Sequence, residues 1–245
     1  MDLTAPNAPQ VLIAIGTGGV GKTTLAAALG LLAAEHGLKV LVLTVDPSQR
    51  LMDVLGITRN QVTPIKIDGV KGPGELHSMV MHAKTIFDDF IRRYSVNSIT
   101  MQALLNNRLY QALSTRIQDS QEFTAIQKLY EIHHSGEYDL ILLDTPPAEN
   151  ALDFLKAPQK IETLFNRQVL SWFTEAKNQW ISKWVGRGSQ LLFRALRSLT
   201  GSEFVADLEE FFANLTGLGE HLASNTLEVR EMLAAPTTQF LLVCQ

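Results

Sequence analysis

Gly16-Thr17-Gly18-Gly19-Val20-Gly21-Lys22-Thr23-Thr24 lies between an apolar run, Val11–Ile15, and a stretch rich in alanine and leucine. Its spacing matches the P-loop, in which glycines allow successive backbone N–H groups to surround an anion at a helix N-terminus. The pattern therefore predicts a strand, a phosphate-binding loop and a helix, in that order. We expect all nine residues of the loop to contact a nucleotide.

The glycines alone also fit a second interpretation. Three of them form the G-x-G-x-x-G pattern of dinucleotide-binding proteins, with Asp46 at the place of a ribose-binding acid. Lys22 and Thr23 distinguish the P-loop from the dinucleotide-binding interpretation, because a triphosphate with its metal needs a cation at the β- and γ-phosphates and a hydroxyl on Mg²⁺. These two residues favour a triphosphate over a dinucleotide.

Short apolar runs predict buried parallel strands at Val11–Ile15, Lys39–Val45, Val62–Ile67, Leu140–Leu143 and Phe240–Val243. Helical patterns lie between them, which predicts an α/β fold with a mostly parallel, doubly wound sheet. Ligands of such sheets collect at the carboxyl ends of the strands. The loop, Asp46 and Asp144 all fall at such ends.

Two long stretches, about Glu75–His134 and Asn150–Ala235, contain no convincing strand and have apolar residues at helical spacing. The first carries a stripe of Met79, Ala83, Ile86, Phe87, Phe90 and Ile91. We expect a nucleotide-binding core of residues 1–74, 135–149 and 236–245, with a helical subdomain inserted from residues 75–134 and 150–235. The last predicted strand is followed by two residues, which favours a domain that continues beyond Gln245.

The composition is that of an ordinary globular protein: 245 residues, 46% of them hydrophobic, with a formal net charge of −4. Since this charge provides no basic field to bind a phosphate backbone, we expect no nucleic-acid partner. Cys244 is the only cysteine, which excludes an intramolecular disulfide and fits the cytoplasm. Residues 1–10 lack signal-peptide features and Leu25–Ala34 is too short to span a bilayer, so we expect no integral membrane segment.

Three residues carry the expected phosphate and metal chemistry. Lys22 would offset charge on the β- and γ-phosphates, and the Thr23 hydroxyl would bind Mg²⁺. Asp144 ends an apolar run and precedes Thr145-Pro146-Pro147, which resembles a Walker B arrangement that holds Mg²⁺ through water. The alternative role of Asp144 is to cap the next helix.

Asp46 is the candidate for positioning the attacking water. Pro47 restricts it to extended geometry and so presents its carboxylate at the strand end. An Asx turn or a helix cap is the alternative. Thr24 would bind the α-phosphate or cap the first helix. His133 and His134 fit a solvated helix end better than a metal site, because adjacent residues of a helix point in different directions.

Together with the loop, Asp46–Leu51 and Asp144–Leu152 resemble the ArsA-type anion-transporting ATPases. That group includes arsenite-pump ATPases and ATPases that deliver tail-anchored membrane proteins, and the resemblance covers most of residues 11–243. It implies Mg²⁺-dependent hydrolysis of ATP with Lys22 and Asp46 as catalytic residues. It places Asp46 in switch I and Asp144, Thr145, Pro146 and Pro147 in switch II.

The resemblance also implies a homodimer whose helical subdomain moves with the nucleotide state. That subdomain would bind a hydrophobic client helix or a membrane-associated protein in a groove lined by aromatic residues between Phe165 and Phe212. The alternative for these aromatic residues is the core of the subdomain itself.

Three features depart from the family pattern. Thr17 occupies the position of a signature lysine, so charge supplied across the dimer would be missing unless Arg50 replaces it. One cysteine cannot form an arsenite site or a zinc-linked dimer. The adenine-contacting segment would lie beyond the chain. A nucleotide-sensing module with little turnover is therefore the alternative function, and a small-molecule kinase or ligase is a third.

Overall fold

The computed structural model describes residues 8–44, 63–81, 83–111, 121–145 and 227–244, with six further positions between 207 and 218. The chain forms two compact units. The first comprises Met1–Ile86, Gln118–Pro158 and Leu227–Gln245, and the second comprises Phe87–Ile117 and Gln159–Thr226.

A six-stranded sheet organises the first unit. Its strands are β1 (Val11–Ile15), β2 (Lys39–Thr44), β3 (Ile65–Lys66), β4 (Glu75–Val80), β5 (Leu140–Asp144) and β6 (Thr238–Leu242). They lie in the order β3-β4-β2-β5-β1-β6. Every neighbouring pair is parallel except β3 and β4, which are antiparallel. The predicted α/β fold with a mostly parallel sheet is therefore confirmed.

The central strands are buried along nearly their whole length, and most of their residues are apolar. β1 and β5 are buried at all five of their positions, and β2 is buried from Val40 to Thr44. Continuous apolar runs are typical of such strands, which is why the sequence predicted them well. In register, Thr44 lies opposite Asp144 across the β2–β5 pair and Ala14 lies opposite Asp144 across the β1–β5 pair.

Helix α1 (Lys22–Glu35) follows the loop and packs on one face of the sheet. Its small residues form a core with side chains of four strands: Ala26, Ala27, Ala33 and Ala34 with Leu12, Val40, Val42, Leu76, Leu140 and Leu142. Gly30 faces the sheet so closely that an added Cβ would lie 2.7 Å from Val42 Cγ2. This close approach fixes the position of α1 on the sheet, and therefore also the position of the loop that precedes it.

Further described helices are α2 (Ala83–Tyr94), α3 (Ser98–Asn106), α4 (Gln121–Ser135) and residues 227–234, and residues 108–111 and the six described positions between 207 and 218 are also helical. α3 begins at Asn97, whose side chain accepts a hydrogen bond from the Thr100 amide at 2.8 Å. His133 and His134 lie in the last turn of α4, as predicted. None of the helices among the described residues is both long and apolar enough to cross a bilayer.

The second unit has a core of its own. Ile91 on α2 and Leu104 on α3 pack with Tyr110, Phe211 and Leu218. Phe211 is one of the aromatic residues that the sequence assigned either to a client groove or to a core, and the core alternative is correct for this residue. All the other aromatic residues from Phe165 to Phe212 lie outside the described residues.

The prediction of a parallel strand at Val62–Ile67 is wrong. β3 covers only Ile65–Lys66 and runs antiparallel to β4. The connection from Lys66 to Glu75 is eight residues long by sequence. It is too short for the crossover that a parallel neighbour requires, so the chain returns through a turn.

The prediction that Glu75–His134 contains no strand is also wrong. β4 pairs with β2 over six positions and holds Leu76, Ser78 and Met79 in buried positions. The polar residues of β4 interrupt the apolar pattern that predicts a buried strand. The strand is nevertheless buried, because it lies between β3 and β2 in the sheet. Met79 therefore belongs to the sheet and not to the helical stripe, which starts at Ala83.

Gly30→Val should lower the free energy of unfolding by about 2 kcal/mol, because the new side chain collides with the sheet and forces α1 outward. Valine has a better helix propensity than glycine, so propensity alone predicts the opposite sign. Urea denaturation measures the change. Ala28→Val on the exposed face of α1 is the matched control, with an expected loss under about 1 kcal/mol. Equal losses in the two variants would contradict close packing at Gly30.

Candidate functional site

The loop between β1 and α1 is built by backbone conformations that favour glycine. Gly19 and Gly21 have φ angles of 80° and 94°. Gly21 is the N-cap of α1 and provides no side-chain cap. The first amide groups of α1 therefore keep their N–H donors directed at the loop, and the partial positive charge of the helix end favours an anion there.

Gly16 is required for a different reason, because the end of the last strand passes directly over it. The Val243 amide donates to the Ile15 carbonyl at 2.8 Å. A Cβ added to Gly16 would lie 2.3 Å from the Val243 carbonyl oxygen. No side chain fits between these backbone segments, so the start of the loop is held against the chain that leaves β6.

Lys22 is the first residue of α1 and is buried within the loop, with 6% of its surface exposed. Its Nζ donates to the carbonyl oxygens of Gly16 at 2.9 Å and Thr17 at 2.8 Å. Two backbone carbonyls therefore hold the ammonium group inside the curve of the loop. This contact places a compact cation among the N–H donors that face the expected phosphates.

Asp144 is the last residue of β5 and is almost wholly buried, at 1% exposed. Its Oδ2 accepts one hydrogen bond from Thr23 Oγ1 at 2.7 Å and another from Thr44 Oγ1 at 3.1 Å. Thr145 continues the site, since its hydroxyl donates to the Ala14 carbonyl at 2.7 Å. The carboxylate thus lies beside the loop, between the ends of β1 and β2.

The structure places the predicted loop residues Gly16–Thr24, together with Asp144 and Thr145, at the carboxyl ends of the central strands. Thr24 lies exposed in the first turn of α1. Asp46, Arg50, Pro146 and Pro147 lie outside the described residues. Thr44 was missed as a site residue. The available signal was a polar residue directly after the apolar run Val40–Leu43 of a central strand.

The donor set fits a magnesium ion. Thr23 offers a hydroxyl and Asp144 a carboxylate, and hard oxygen ligands of this kind suit Mg²⁺. Within the described parts of the chain, no three His, Cys, Asp or Glu residues are grouped closely enough to form a metal cage. Mg²⁺ commonly relies on one or two protein ligands together with water and phosphate oxygens, so a pair of protein oxygens is an adequate set.

Among the described residues of the first unit, two neighbouring rings near the amino ends of the strands have shifted pKa values. Burial lowers the pKa of His77 on β4, and it raises the pKa of Tyr138, just before β5, to about 12. The two rings meet edge to face at 5.5 Å, and Lys39 Nζ lies 5.0 Å from the Tyr138 ring centre. Packing accounts for these shifts, and we assign the cluster a structural role.

The second unit contains an open cavity of about 550 Å³. Six of its eight lining residues are polar: Gln102, Asn106, Asn107, Arg108, Asp207 and Glu210. Two of these lining residues are joined by a hydrogen bond, in which the Asn107 side-chain amide donates to the Asp207 carbonyl at 2.9 Å. Because of this lining, the cavity does not correspond to the apolar groove predicted from the aromatic residues.

A glycine-rich loop between β1 and α1, with a buried carboxylate at the end of the neighbouring strand of a mostly parallel sheet, defines a P-loop NTPase fold. The sequence profile of the anion-transporting ATPases, ArsA_ATPase, matches residues 10–237. The chain belongs to this family, which confirms the resemblance.

Three curated relatives illustrate the relationship. The chain is 24% identical over 230 residues to the ATPase GET3 of Malassezia globosa, covering 94% of this chain and 61% of the relative. It is 30% identical over 159 residues to an uncharacterized protein of Streptomyces coelicolor, covering 64% and 39%. It is 26% identical over 157 residues to the arsenical pump-driving ATPase of Escherichia coli, covering 62% and 26%. The chain therefore spans between about a quarter and three fifths of the length of these relatives.

Gly16→Ala should lower the free energy of unfolding by about 1 to 3 kcal/mol, because its Cβ would overlap the Val243 carbonyl and neither backbone segment can move cheaply. Denaturant unfolding of the nucleotide-free protein measures the loss. Gly19→Ala is the matched control in the same loop, since its Cβ would enter open space and add only backbone strain of about 1 kcal/mol. A smaller loss at Gly16 than at Gly19 would contradict the close approach.

Proposed function

We propose that this chain binds ATP with Mg²⁺ and hydrolyses it, and that the nucleotide state moves a helical subdomain that binds a hydrophobic client or partner. One observation supports the proposal above all others. The Lys22 ammonium group and the Thr23–Asp144 pair lie at one end of the sheet, beside the N-terminus of α1, where backbone N–H groups favour an anion. This combination suits a triphosphate with its metal.

Each site residue that the structure describes has a defined role in this proposal. The loop amides and the N-terminus of α1 bind phosphate oxygens, and Lys22 offsets their charge. Thr23 and Asp144 hold Mg²⁺, Asp144 through water, and the ion when bound neutralises charge on the phosphates. Thr145 fixes the chain after β5 to β1 through its bond to the Ala14 carbonyl.

Asp46 is proposed as the residue that orients the attacking water, with switch II at residues 144–147. Its support is the sequence, since Asp46 follows β2 by two residues and β2 pairs directly with β5. The carboxyl end of β2 therefore lies at the same edge of the sheet as Asp144, and a carboxylate that follows it in the sequence is our candidate for general-base chemistry.

The proposed partners follow from the family. We propose a homodimer in the cytoplasm, with a client that presents an apolar helix and no role for nucleic acid. We propose that Val96 and Ile99, each 78% exposed in the second unit, take part in that apolar contact.

Thr17 supports the alternative of a nucleotide-sensing module with little turnover. Its side chain is exposed and uncharged at a loop position where the family resemblance implies a lysine. Only its backbone carbonyl contacts Lys22. The loop therefore keeps its internal contact without the second cation, which favours binding without fast hydrolysis.

Lys22→Ala should reduce phosphate release from ATP by about 100-fold or more, because it removes the cation that offsets transition-state charge. A single-turnover assay with excess protein measures this directly and does not depend on product release. Lys66→Ala is the matched control, since Lys66 pairs with Glu75 on the edge of the sheet and should leave the rate unchanged. Phosphate release from the unaltered protein that is no faster than from Lys22→Ala would exclude the ATPase and favour the sensing module.

Thr17→Lys should raise the rate of hydrolysis by at least about tenfold, since a cation supplied to the transferred phosphate contributes about 10³-fold or more in related systems. If this cation acts across a dimer, the gain should grow with protein concentration. Steady-state assays over a range of concentrations test both points. Thr17→Met controls for side-chain length, and an equal rate in the lysine and methionine variants would rule out missing charge as the limit on turnover.

A further inference from the structure

Thr44 ends β2 and lies opposite Asp144 in the parallel β2–β5 register. Its side chain is buried, with 2% exposed, and its hydroxyl donates to Asp144 Oδ2 at 3.1 Å. The same oxygen accepts the Thr23 hydroxyl at 2.7 Å. One carboxylate oxygen of Asp144, on β5, therefore accepts hydrogen bonds from residues of two other elements, α1 and β2.

We propose that Thr44 is a positioning residue for the magnesium site, because it fixes the direction in which the Asp144 carboxylate faces. The inference rests on the proposed function, since it assigns Thr44 a role toward the metal that Thr23 and Asp144 would hold. Thr44 itself is not a metal ligand in this proposal. It acts through Asp144.

The physical basis is the freedom of an aspartate side chain. The torsion about Cβ–Cγ of aspartate has a broad, roughly two-fold distribution, so each donor that holds the carboxylate restricts the direction of its plane. A second donor from the neighbouring strand restricts that torsion. Thr23 lies on α1 beside the loop, whereas Thr44 is part of the buried sheet. The Thr44 contact therefore ties the carboxylate to the rigid part of the fold.

The hydroxyl at position 44 is not needed to build the strand. Valine has nearly the same shape as threonine, is favoured in strands and buries no polar group. A buried hydroxyl is costly unless it is hydrogen-bonded, and at this position it donates to the site carboxylate. Thr44 also precedes Asp46 by two residues in the sequence, so one strand end carries both the positioning hydroxyl and the proposed water-orienting carboxylate.

The first test measures the contact without metal or nucleotide. A double-mutant cycle of Thr44→Val and Asp144→Ala is followed by urea unfolding in EDTA. Hydrogen bonds to charged groups are the strong ones, so we expect the two changes to be coupled by about tenfold or more in the unfolding equilibrium constant. Additive effects of the two substitutions would overturn the proposal.

The second test measures the role toward the metal. Binding of a non-hydrolysable ATP analogue is titrated against Mg²⁺. Thr44→Val should raise the Mg²⁺ concentration for half-maximal binding by about tenfold, and Thr44→Ser, which restores the hydroxyl, should stay within about twofold of the unaltered protein. Thr238→Val is the matched control, because it removes a buried hydroxyl on β6 that donates to the Met232 carbonyl, and it should leave the Mg²⁺ requirement unchanged.

The outcomes separate this inference from the proposed function. If the unaltered protein binds the analogue with Mg²⁺ but Thr44→Val requires no more Mg²⁺ than Thr238→Val, the positioning role is overturned and the ATP site stands. Equal defects in Thr44→Val and Thr44→Ser would also overturn it, since shape rather than the hydroxyl would then matter. An unaltered protein that shows the coupling but binds no analogue at any Mg²⁺ concentration overturns the proposed function, and the role of Thr44 toward the metal with it.

Discussion

The hydrogen bonds that converge on Asp144 are the constraint on which the site depends. A carboxylate that is 1% exposed is unfavourable in the interior unless donors stabilise its charge. Thr23 and Thr44 provide two such donors, and they lie 121 and 100 residues away in sequence. Their convergence requires β5 to lie between β1 and β2, with α1 following β1. The strand order is therefore a requirement of the site as well as of the core.

Charge balance at the loop supports the proposed metal site. Lys22 and the N-terminus of α1 favour an anion, yet Asp144 lies close by and is joined to α1 through Thr23. A bound phosphate and this carboxylate would repel each other across a buried region of low dielectric constant. A divalent cation between them turns the repulsion into two attractions. The oxygen ligands of Thr23 and Asp144 thus complement the phosphate loop instead of opposing it.

The sequence predicted the elements whose pattern is local. β1, β5 and the loop carry their own signals, namely continuous apolar runs and glycines at fixed spacing. β4 was missed because its polar residues, among them the buried Ser78, interrupt the apolar pattern, and the direction of β3 depended on the length of a connection. Thr44 could not be identified as a site residue for a similar reason. Its partner is set by the β2–β5 register, which is a property of the folded sheet.

At position 17, the backbone determines the shape of the loop, whereas the side chain determines the charge beside it. Lys22 is held by the carbonyl oxygens of Gly16 and Thr17, so the contact depends on the backbone and not on the residue type. The Thr17 side chain is exposed and is free to differ in charge. A substitution here therefore changes the electrostatic field at the phosphates while the cradle keeps its shape. If the chain hydrolyses ATP as proposed, we expect a charge added at position 17 to change turnover more than nucleotide binding, because it acts mainly on the transition state.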